Sequence, residues 1–136
     1  MRVPRVPKVP AVLRAALAVL ALAMMGGGTA CGRCVNTFIA EHLSPDSANE
    51  LIIYEKSCGP MTGFSTHVDL VPTVPERGLA PAGTGNVLRA DADAASLDIK
   101  VRWIDDKTAE LAYKKVRISM RRTEVDGIEI KHVDHP

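Results

Sequence analysis

Aromatic residues and cysteines are scarce in this sequence, and its 17 basic residues barely outnumber its 16 acidic ones. Two phenylalanines, two tyrosines and one tryptophan among 136 residues require an aliphatic core of modest size, in at most one ordinary domain. Residues 1–30 hold four basic side chains and no acidic one, so the remainder carries 17 − 4 = 13 basic and 16 acidic residues. Because this mildly acidic remainder lacks the positive surface that supplies most nucleic-acid affinity, we predict no nucleic-acid partner.

Patterns typical of catalytic and metal sites are also missing. No paired carboxylates or catalytic triad can be assembled from neighbouring residues of the sequence. Cys34, His42 and Cys58 lack the short paired spacings that bring zinc ligands together. The acidic stretch 91–96 lacks the glycine and the terminal glutamate of a calcium loop. We therefore predict no catalytic residue, no metal and no cofactor.

The first 30 residues have the organisation of an export signal. A basic segment is followed by the wholly apolar run Ala15–Met25 and then by small residues. A helix needs roughly 20 residues to cross the hydrocarbon core of a bilayer, and this run is shorter. We predict a signal peptide over residues 1–30 rather than a permanent anchor helix.

The sequence at the end of this segment, Gly28-Thr29-Ala30-Cys31, resembles the lipobox of bacterial lipoproteins. It departs from that pattern at Gly28, where leucine is favoured. The resemblance implies that Cys31 becomes the mature N-terminal residue and carries a lipid. The protein would then be anchored to a membrane of the bacterial cell envelope, with its domain on the periplasmic side. Ordinary cleavage after Ala30, giving a secreted product, is the alternative.

Three cysteines form an odd set in an exported chain, where thiols tend to be oxidised. If Cys31 is lipidated, Cys34 and Cys58 are left as an even pair, and we predict a disulfide between them. Closing that loop stabilises a small domain by about 3–4 kcal/mol. The spacing Cys31-x-x-Cys34 also matches thioredoxin-like redox sites, but no strand–helix–strand pattern surrounds it.

Strand-like alternation dominates residues 50–133. Apolar and polar residues alternate after Phe64 and again over Leu97–Trp103, and Ala109–Tyr113 repeats the pattern. Asp126-Gly127 predicts a tight hairpin, because both residues tolerate positive φ. We predict a mainly β fold, a small antiparallel sandwich or curled meander, after the N-terminal signal helix.

Three segments of this domain are less regular. Residues 31–49 form an N-terminal arm in this prediction, either a short helix or irregular, because their apolar residues have a loose helical spacing. The stretch 72–85 is rich in proline and glycine and predicts a long exposed loop. The chain is expected to fray over residues 132–136.

The segment Cys58–Thr66, between two predicted strands, is the candidate functional loop. Its small polar residues can bind an anion, but they also simply permit a tight turn, and we favour an architectural role. Phe64 is predicted to begin an inward strand face that continues through Leu70. The candidate residues are Thr62, Gly63, Phe64, Ser65 and Thr66.

The opposite face of the second strand carries Ser65, His67 and Asp69. Neighbours at this spacing lie about 6.6–6.8 Å apart along a strand, whereas a nucleophile and its base need separations near ~3 Å. We therefore predict a solvent-facing polar stripe without contact between these side chains.

A longer set of landmarks supports a family resemblance. Ser44-Pro45-Asp46, Cys58-Gly59 and Thr62-Gly63-Phe64-Ser65-Thr66, followed by Val68, resemble an uncharacterised family of short bacterial exported proteins and lipoproteins. The chain departs from that pattern at Ser47, where a turn glycine is usual, and at Pro60-Met61. The resemblance implies a cell-envelope location but brings no activity, substrate or catalytic residue.

These observations lead to one functional prediction and one alternative. We predict a non-catalytic cell-envelope lipoprotein that binds an envelope protein partner or has a structural role. The alternative is a small periplasmic ligand-binding protein or enzyme that uses the Cys58–Thr66 loop.

Overall fold

Nine strands and one short helix, arranged in two sheets, make up the residues described by the computed structural model, 33–74 and 83–136. The first sheet contains β1 (Val35–Leu43), β2 (Asn49–Ser57), β3 (Phe64–Pro72), β4 (Leu88–Ala90) and β7 (Ile118–Arg121). Its strands lie in the order β1–β2–β3–β4–β7, and every neighbouring pair is antiparallel.

The second sheet has four strands in the order β5, β6, β9, β8, with bounds Lys100–Asp105, Thr108–Tyr113, Ile128–Asp134 and Glu124–Val125 respectively. Its central pair, β6 and β9, is parallel, whereas the two outer pairings are antiparallel. The helix α1 (Ala94–Leu97) lies in the connection between β4 and β5.

A single cluster of buried side chains joins the two sheets, so they share one core. The side chains alternate along the strands, and each buried aliphatic group contributes about 1.5–3 kcal/mol. The prediction of a mainly β sandwich is confirmed. The first sheet supplies Leu51, Ile53, Val68, Leu70, Leu88 and Ala90, and the second supplies Ala109, Leu111, Tyr113, Val125, Ile128 and Ile130.

Several local predictions are also confirmed. The two strands predicted on either side of the Cys58–Thr66 segment are β2 and β3, which form a hairpin whose register runs without interruption from Asn49↔Pro72 to Ser57↔Phe64. The β8–β9 hairpin turns through Asp126 and Gly127, whose φ values are 49° and 76°. Both residues are therefore in the left-handed region that a tight two-residue hairpin requires.

The segment 31–49 was predicted as an arm, and the structure corrects this. Val35–Leu43 is a strand paired along β2, so the β domain begins there. The register shifts between Phe38 and Ala40, which makes Ile39 an extra residue. Because such a bulge moves the strand alternation by one position, the apolar residues acquire a spacing that resembles a helix.

The end of the chain is also more ordered than predicted. β9 extends to Asp134, and His132 within it is half-buried. Its Nδ1 accepts a hydrogen bond from the Tyr113 hydroxyl at 3.1 Å, and its Nε2 donates to the Arg122 carbonyl at 2.7 Å. Pairing with β6, which lies far away in sequence, holds this segment in place.

One hydrogen bond connects the edges of the two sheets. The indole Nε1–H of Trp103 on β5 donates to the carbonyl of His42 on β1 at 2.9 Å. This bond fixes β1 against the second sheet, although most β1 side chains are exposed.

The predicted signal peptide, residues 1–30, and the predicted lipidation site Cys31 lie outside the described ranges. Within those ranges, no helix is both long enough and apolar enough to cross a bilayer.

Candidate functional site

The candidate loop borders an open pocket of about 650 Å³ at one end of the first sheet. Thr62, Gly63, Phe64 and Ser65 line one side of it. Thr66 does not reach the pocket: its side chain is buried, and its Oγ1 donates to the Ala92 carbonyl at 2.8 Å. That bond ties the loop to the facing segment 91–93, which lines the other side.

Turn chemistry shapes the loop before β3. The Thr62 backbone N–H and side-chain Oγ1 both donate to the Gly59 carbonyl, at 3.3 and 3.0 Å. Gly63 follows with φ of 69°, a conformation that glycine adopts at little cost. Phe64 and Ser65 therefore enter the strand directly from a closed turn.

The predicted disulfide between Cys34 and Cys58 is present, with an S–S distance of 2.06 Å. It lies one position beyond the Val35↔Ser57 pair, so it joins the start of β1 to the end of β2. Cys58 also lines the pocket. The disulfide therefore fixes one end of the candidate loop to the edge strand.

Phe64 was predicted to begin the inward face of β3, and this was wrong. Its side chain is 54% exposed, whereas Thr66, Val68 and Leu70 are buried as predicted. Phe64 is the first residue of the strand and pairs with Ser57, at the end of the sheet. Its ring consequently forms part of the pocket wall rather than the core.

Most of the polar stripe on the other face of β3 does not face solvent, which corrects a second prediction: only Ser65 is half-buried. His67 is 8% exposed and Asp69 1%, because residues 83–86 fold over them. The Asp69 carboxylate accepts hydrogen bonds from the backbone N–H groups of Gly83, Thr84 and Asn86 and from the Thr84 hydroxyl. This carboxylate binds the covering segment to the strand.

Glycine is required within the covering segment at Gly85. Its φ is 66°, and a Cβ there would lie 3.0 Å from the Nδ1 of His67 and 2.6 Å from the Cγ of Arg89. The backbone therefore approaches the imidazole more closely than any other residue type permits.

Ser65 and His67 are in contact, contrary to the prediction from strand spacing. Ser65 Oγ lies 3.1 Å from His67 Nε2. The residue spacing along a strand measures backbone separation, whereas the long imidazole side chain reaches back along the strand to the hydroxyl. Sequence alone gave no sign of this, because the rotamer of His67 is set by the segment that covers it.

The environment of His67 determines its proton positions. Its Nδ1 lies 3.2 Å from the Gly83 carbonyl, which can only accept, so Nδ1 carries the proton. Nε2 is then the acceptor for the Ser65 hydroxyl. Burial, followed by the positive charge of Lys56, lowers the pKa of His67 below 6.5, which favours the neutral ring at neutral pH.

The charged groups of the pocket differ in how far they are engaged. Asp91 pairs with Arg117 at 3.2 Å. Asp93 accepts from the Ser96 amide and hydroxyl at 2.8 and 2.7 Å, and these bonds lower its pKa. Lys56, in contrast, makes no salt bridge with any residue of the described ranges.

Residues 83–86 are the part of this site that sequence reasoning missed. Residues 83–85 belong to the stretch predicted as an exposed loop, because proline and glycine are frequent there. The alternation of glycine with polar residues over Gly83-Thr84-Gly85-Asn86 is the one available signal, since it suits close packing on a polar strand face. Within the described ranges, no group of three or more histidine, cysteine, aspartate or glutamate side chains is placed to hold a metal ion.

No family model, curated protein or solved structure matches the chain. The resemblance to exported bacterial lipoproteins stays a prediction, and the functional argument depends on the pocket and its residues.

Proposed function

We propose that this protein is an exported, lipid-anchored protein of the bacterial cell envelope whose β domain binds a small polar ligand in the pocket beside Ser65. The observation that carries the proposal is Ser65, a residue of the lining of a pocket of about 650 Å³, whose hydroxyl lies 3.1 Å from a buried histidine. Pockets of this size suit small molecules, and a few fixed polar groups are enough to orient them.

The proposed location is supported by the N-terminal sequence and by the disulfide. Residues 1–30 have the features of a signal peptide, and Cys31 follows small residues as in a lipobox. The Cys34–Cys58 disulfide suits an oxidising compartment such as the periplasm. Because Cys34 is close to Cys31 in sequence, a lipid on Cys31 would hold the pocket near the membrane surface.

Mass spectrometry of the protein extracted from bacterial membranes tests the anchor. We expect a mature chain that begins at Cys31 and carries the mass of the added lipid. A Cys31→Ser variant should leave the membrane fraction but keep the Cys34–Cys58 disulfide. An unmodified Cys31 thiol on a water-soluble product would contradict the proposed anchor.

The ligand pocket is tested by passing a small-molecule extract of the cell envelope over the immobilised protein. Retained compounds are identified by mass spectrometry and compared between the wild type and Phe64→Ala, which removes an exposed wall of the pocket. Val133→Ala, another exposed apolar position on β9, is the matched control. We expect retention that Phe64→Ala reduces and Val133→Ala preserves; equal retention by all three proteins would contradict a ligand at this pocket.

A second candidate is the non-catalytic, partner-binding or structural role predicted from the sequence. One observation favours it: β1 is an edge strand that exposes apolar side chains, and such an edge is a template for pairing with another chain. The exposed residues are Val35, Phe38, Ile39 and Leu43.

Crosslinking in the intact envelope separates the two candidates. A photoreactive amino acid at Phe38 should give a discrete protein adduct if the edge binds a partner, while the same group at Val133 should give none. Absence of an adduct from Phe38, together with ligand retention at the pocket, would reject the second candidate.

A further inference from the structure

We propose that Ser65 is the nucleophile of an acyl-transfer site for small carboxylic esters, with His67 as its general base and Lys56 opposing the negative charge that forms on the carbonyl oxygen. This inference deepens the proposed ligand pocket and rests on it. It names both the substrate class and the chemistry of the residues that line the pocket.

The separation of Ser65 and His67 satisfies the first requirement. A nucleophile and its base must lie within about 2.6–3.2 Å, and Ser65 Oγ is 3.1 Å from His67 Nε2. Ser65 is only half-buried and belongs to the pocket lining, so a substrate in the pocket can reach this residue. His67 is buried behind it, so water cannot easily replace the serine as hydrogen-bond partner.

Orientation of the base is the second requirement. The Nδ1–H of His67 donates to the Gly83 carbonyl at 3.2 Å, which leaves the Nε2 lone pair directed at the serine. A third group that orients the base is the recurring feature of hydroxyl nucleophiles. Here a backbone carbonyl, held in place through Asp69, takes that position.

Lys56 meets the third requirement, a positive charge that stabilises the oxyanion. It is the cross-strand partner of Ser65, so the Cβ atoms of the two residues lie about 4.5–5.5 Å apart on the same face of the sheet. Both residues line the pocket. A cation at this position stabilises the oxyanion of a tetrahedral intermediate and also disfavours protonation of the resting His67.

The reaction balances without a further reagent. Ser65 Oγ bonds to the ester carbonyl carbon while its proton moves to His67 Nε2. The intermediate collapses, the carbon–oxygen bond to the alcohol breaks, and the alcohol leaves with that proton. Water, deprotonated by the same imidazole, then attacks the acyl-serine and releases the carboxylic acid, which regenerates the free hydroxyl.

A fluorophosphonate carrying a biotin group tests the nucleophile. The full protein, extracted from membranes in detergent, is incubated with this probe, digested and sequenced by tandem mass spectrometry. We expect one phosphonyl adduct, on Ser65, and none on Ser119, a surface serine whose Oγ donates to the Arg89 carbonyl. Ser65→Ala should abolish labelling, and Ser119→Ala should leave its rate unchanged.

Variants of the two supporting residues measure their contributions. His67→Asn should slow labelling by at least about 100-fold, the usual contribution of a general base. Lys56→Met should slow it on the order of 100-fold, the lower end of the loss caused by removing one oxyanion donor. Circular dichroism and the melting temperature establish that each variant is folded.

The pH dependence of wild-type labelling provides a test that needs no folded His67 variant. His67 is faced by Tyr54 and Lys56 on β2, Arg89 on β4 and Asp69 on its own strand. Protonation of His67 removes the acceptor, so the labelling rate should fall with decreasing pH along one titration whose midpoint is below 6.5.

Three results would overturn the inference: no adduct on Ser65 in folded protein, an unchanged rate in folded His67→Asn, or a rate independent of pH from about 5 to 8. If Ser65 is unreactive but envelope compounds are still retained in a Phe64-dependent way, the acyl-transfer site is rejected and the ligand pocket stands. If neither is seen, both proposals fail.

Discussion

Asn86 takes the place of a neighbouring strand for Leu70. Its Oδ1 accepts from the Leu70 N–H at 2.8 Å, and its Nδ2 donates to the Leu70 carbonyl at 2.9 Å. β4 pairs with β3 only at Thr66, His67 and Val68, so the strand ladder ends before Leu70. One side-chain amide thus satisfies two backbone groups beside a residue that is only 3% exposed.

Replacing this amide should be costly. We expect Asn86→Ala to lower the free energy of unfolding by about 2–6 kcal/mol, because an unsatisfied buried polar group costs roughly 1–3 kcal/mol and two are created. Urea unfolding followed by circular dichroism measures this. Asn49→Ala, at the start of β2, is the control and should change stability by less than about 0.5 kcal/mol. Equal effects of the two substitutions would contradict the role of Asn86.

Truncation at two apolar positions on β3 should destabilise the domain to very different extents. Leu70→Ala removes a buried side chain and should cost about 2–5 kcal/mol. Phe64→Ala removes a ring that is 54% exposed and should cost less than about 1 kcal/mol. Melting temperatures of the two variants compare them directly. A larger loss in Phe64→Ala would mean that Phe64 belongs to the core.

Stability should decrease in mild acid, in part through His132. Burial lowers its pKa below 6.5, although its bond to the Arg122 carbonyl opposes this shift. The folded state then binds fewer protons than the unfolded state below pH 6.5, so stability is fully present above that pH and is lost as pH falls. Protonation would also remove the acceptor for the Tyr113 hydroxyl.

Unfolding free energies between about pH 5 and pH 7.5 measure this dependence. His132→Gln should show a shallower dependence on pH than the wild type, since it removes one titrating group. His42 and His67 also have pKa values lowered by burial, so part of the slope should persist in the variant. An unchanged slope would exclude His132 as a contributor.

Reduction of the disulfide should destabilise the domain without abolishing the fold. The two cysteines are 24 positions apart, and opening a loop of that size costs about 3–4 kcal/mol. We expect this loss in urea unfolding with and without reductant, and in Cys34→Ala/Cys58→Ala. Hydrogen exchange should increase first at β1, which the disulfide fixes to β2. Uniform acceleration over both sheets would argue against this local effect.

Local sequence patterns predicted most of the strands. β3, β5 and β6 were identified because each alternates apolar and polar residues, β2 because its residues are β-branched and aromatic, and the Asp126-Gly127 turn follows from backbone sterics. β1 was missed for the opposite reason: the bulge at Ile39 breaks its alternation. The parallel pairing of β6 with β9 left no local signal, because it joins segments that are distant in sequence.

In the candidate site, too, features with a local sequence signal were predicted and those that depend on distant segments were not. The sequence indicated the loop from Thr62 to Thr66 and the Cys34–Cys58 pair, both of which depend on local turns or on the number of cysteines. It could not indicate that Ser65 and His67 touch. That contact depends on a segment that folds over β3 and orients the imidazole through the Gly83 carbonyl.

Trp103 is the only tryptophan in the chain, so the tryptophan fluorescence of the protein comes from a single position. Its indole donates to the His42 carbonyl at the junction of the two sheets. An indole released from a packed site into water emits fluorescence at longer wavelength. Separation of β1 from β5 should therefore shift the Trp103 emission to longer wavelength. This shift can be followed in real time without an attached dye.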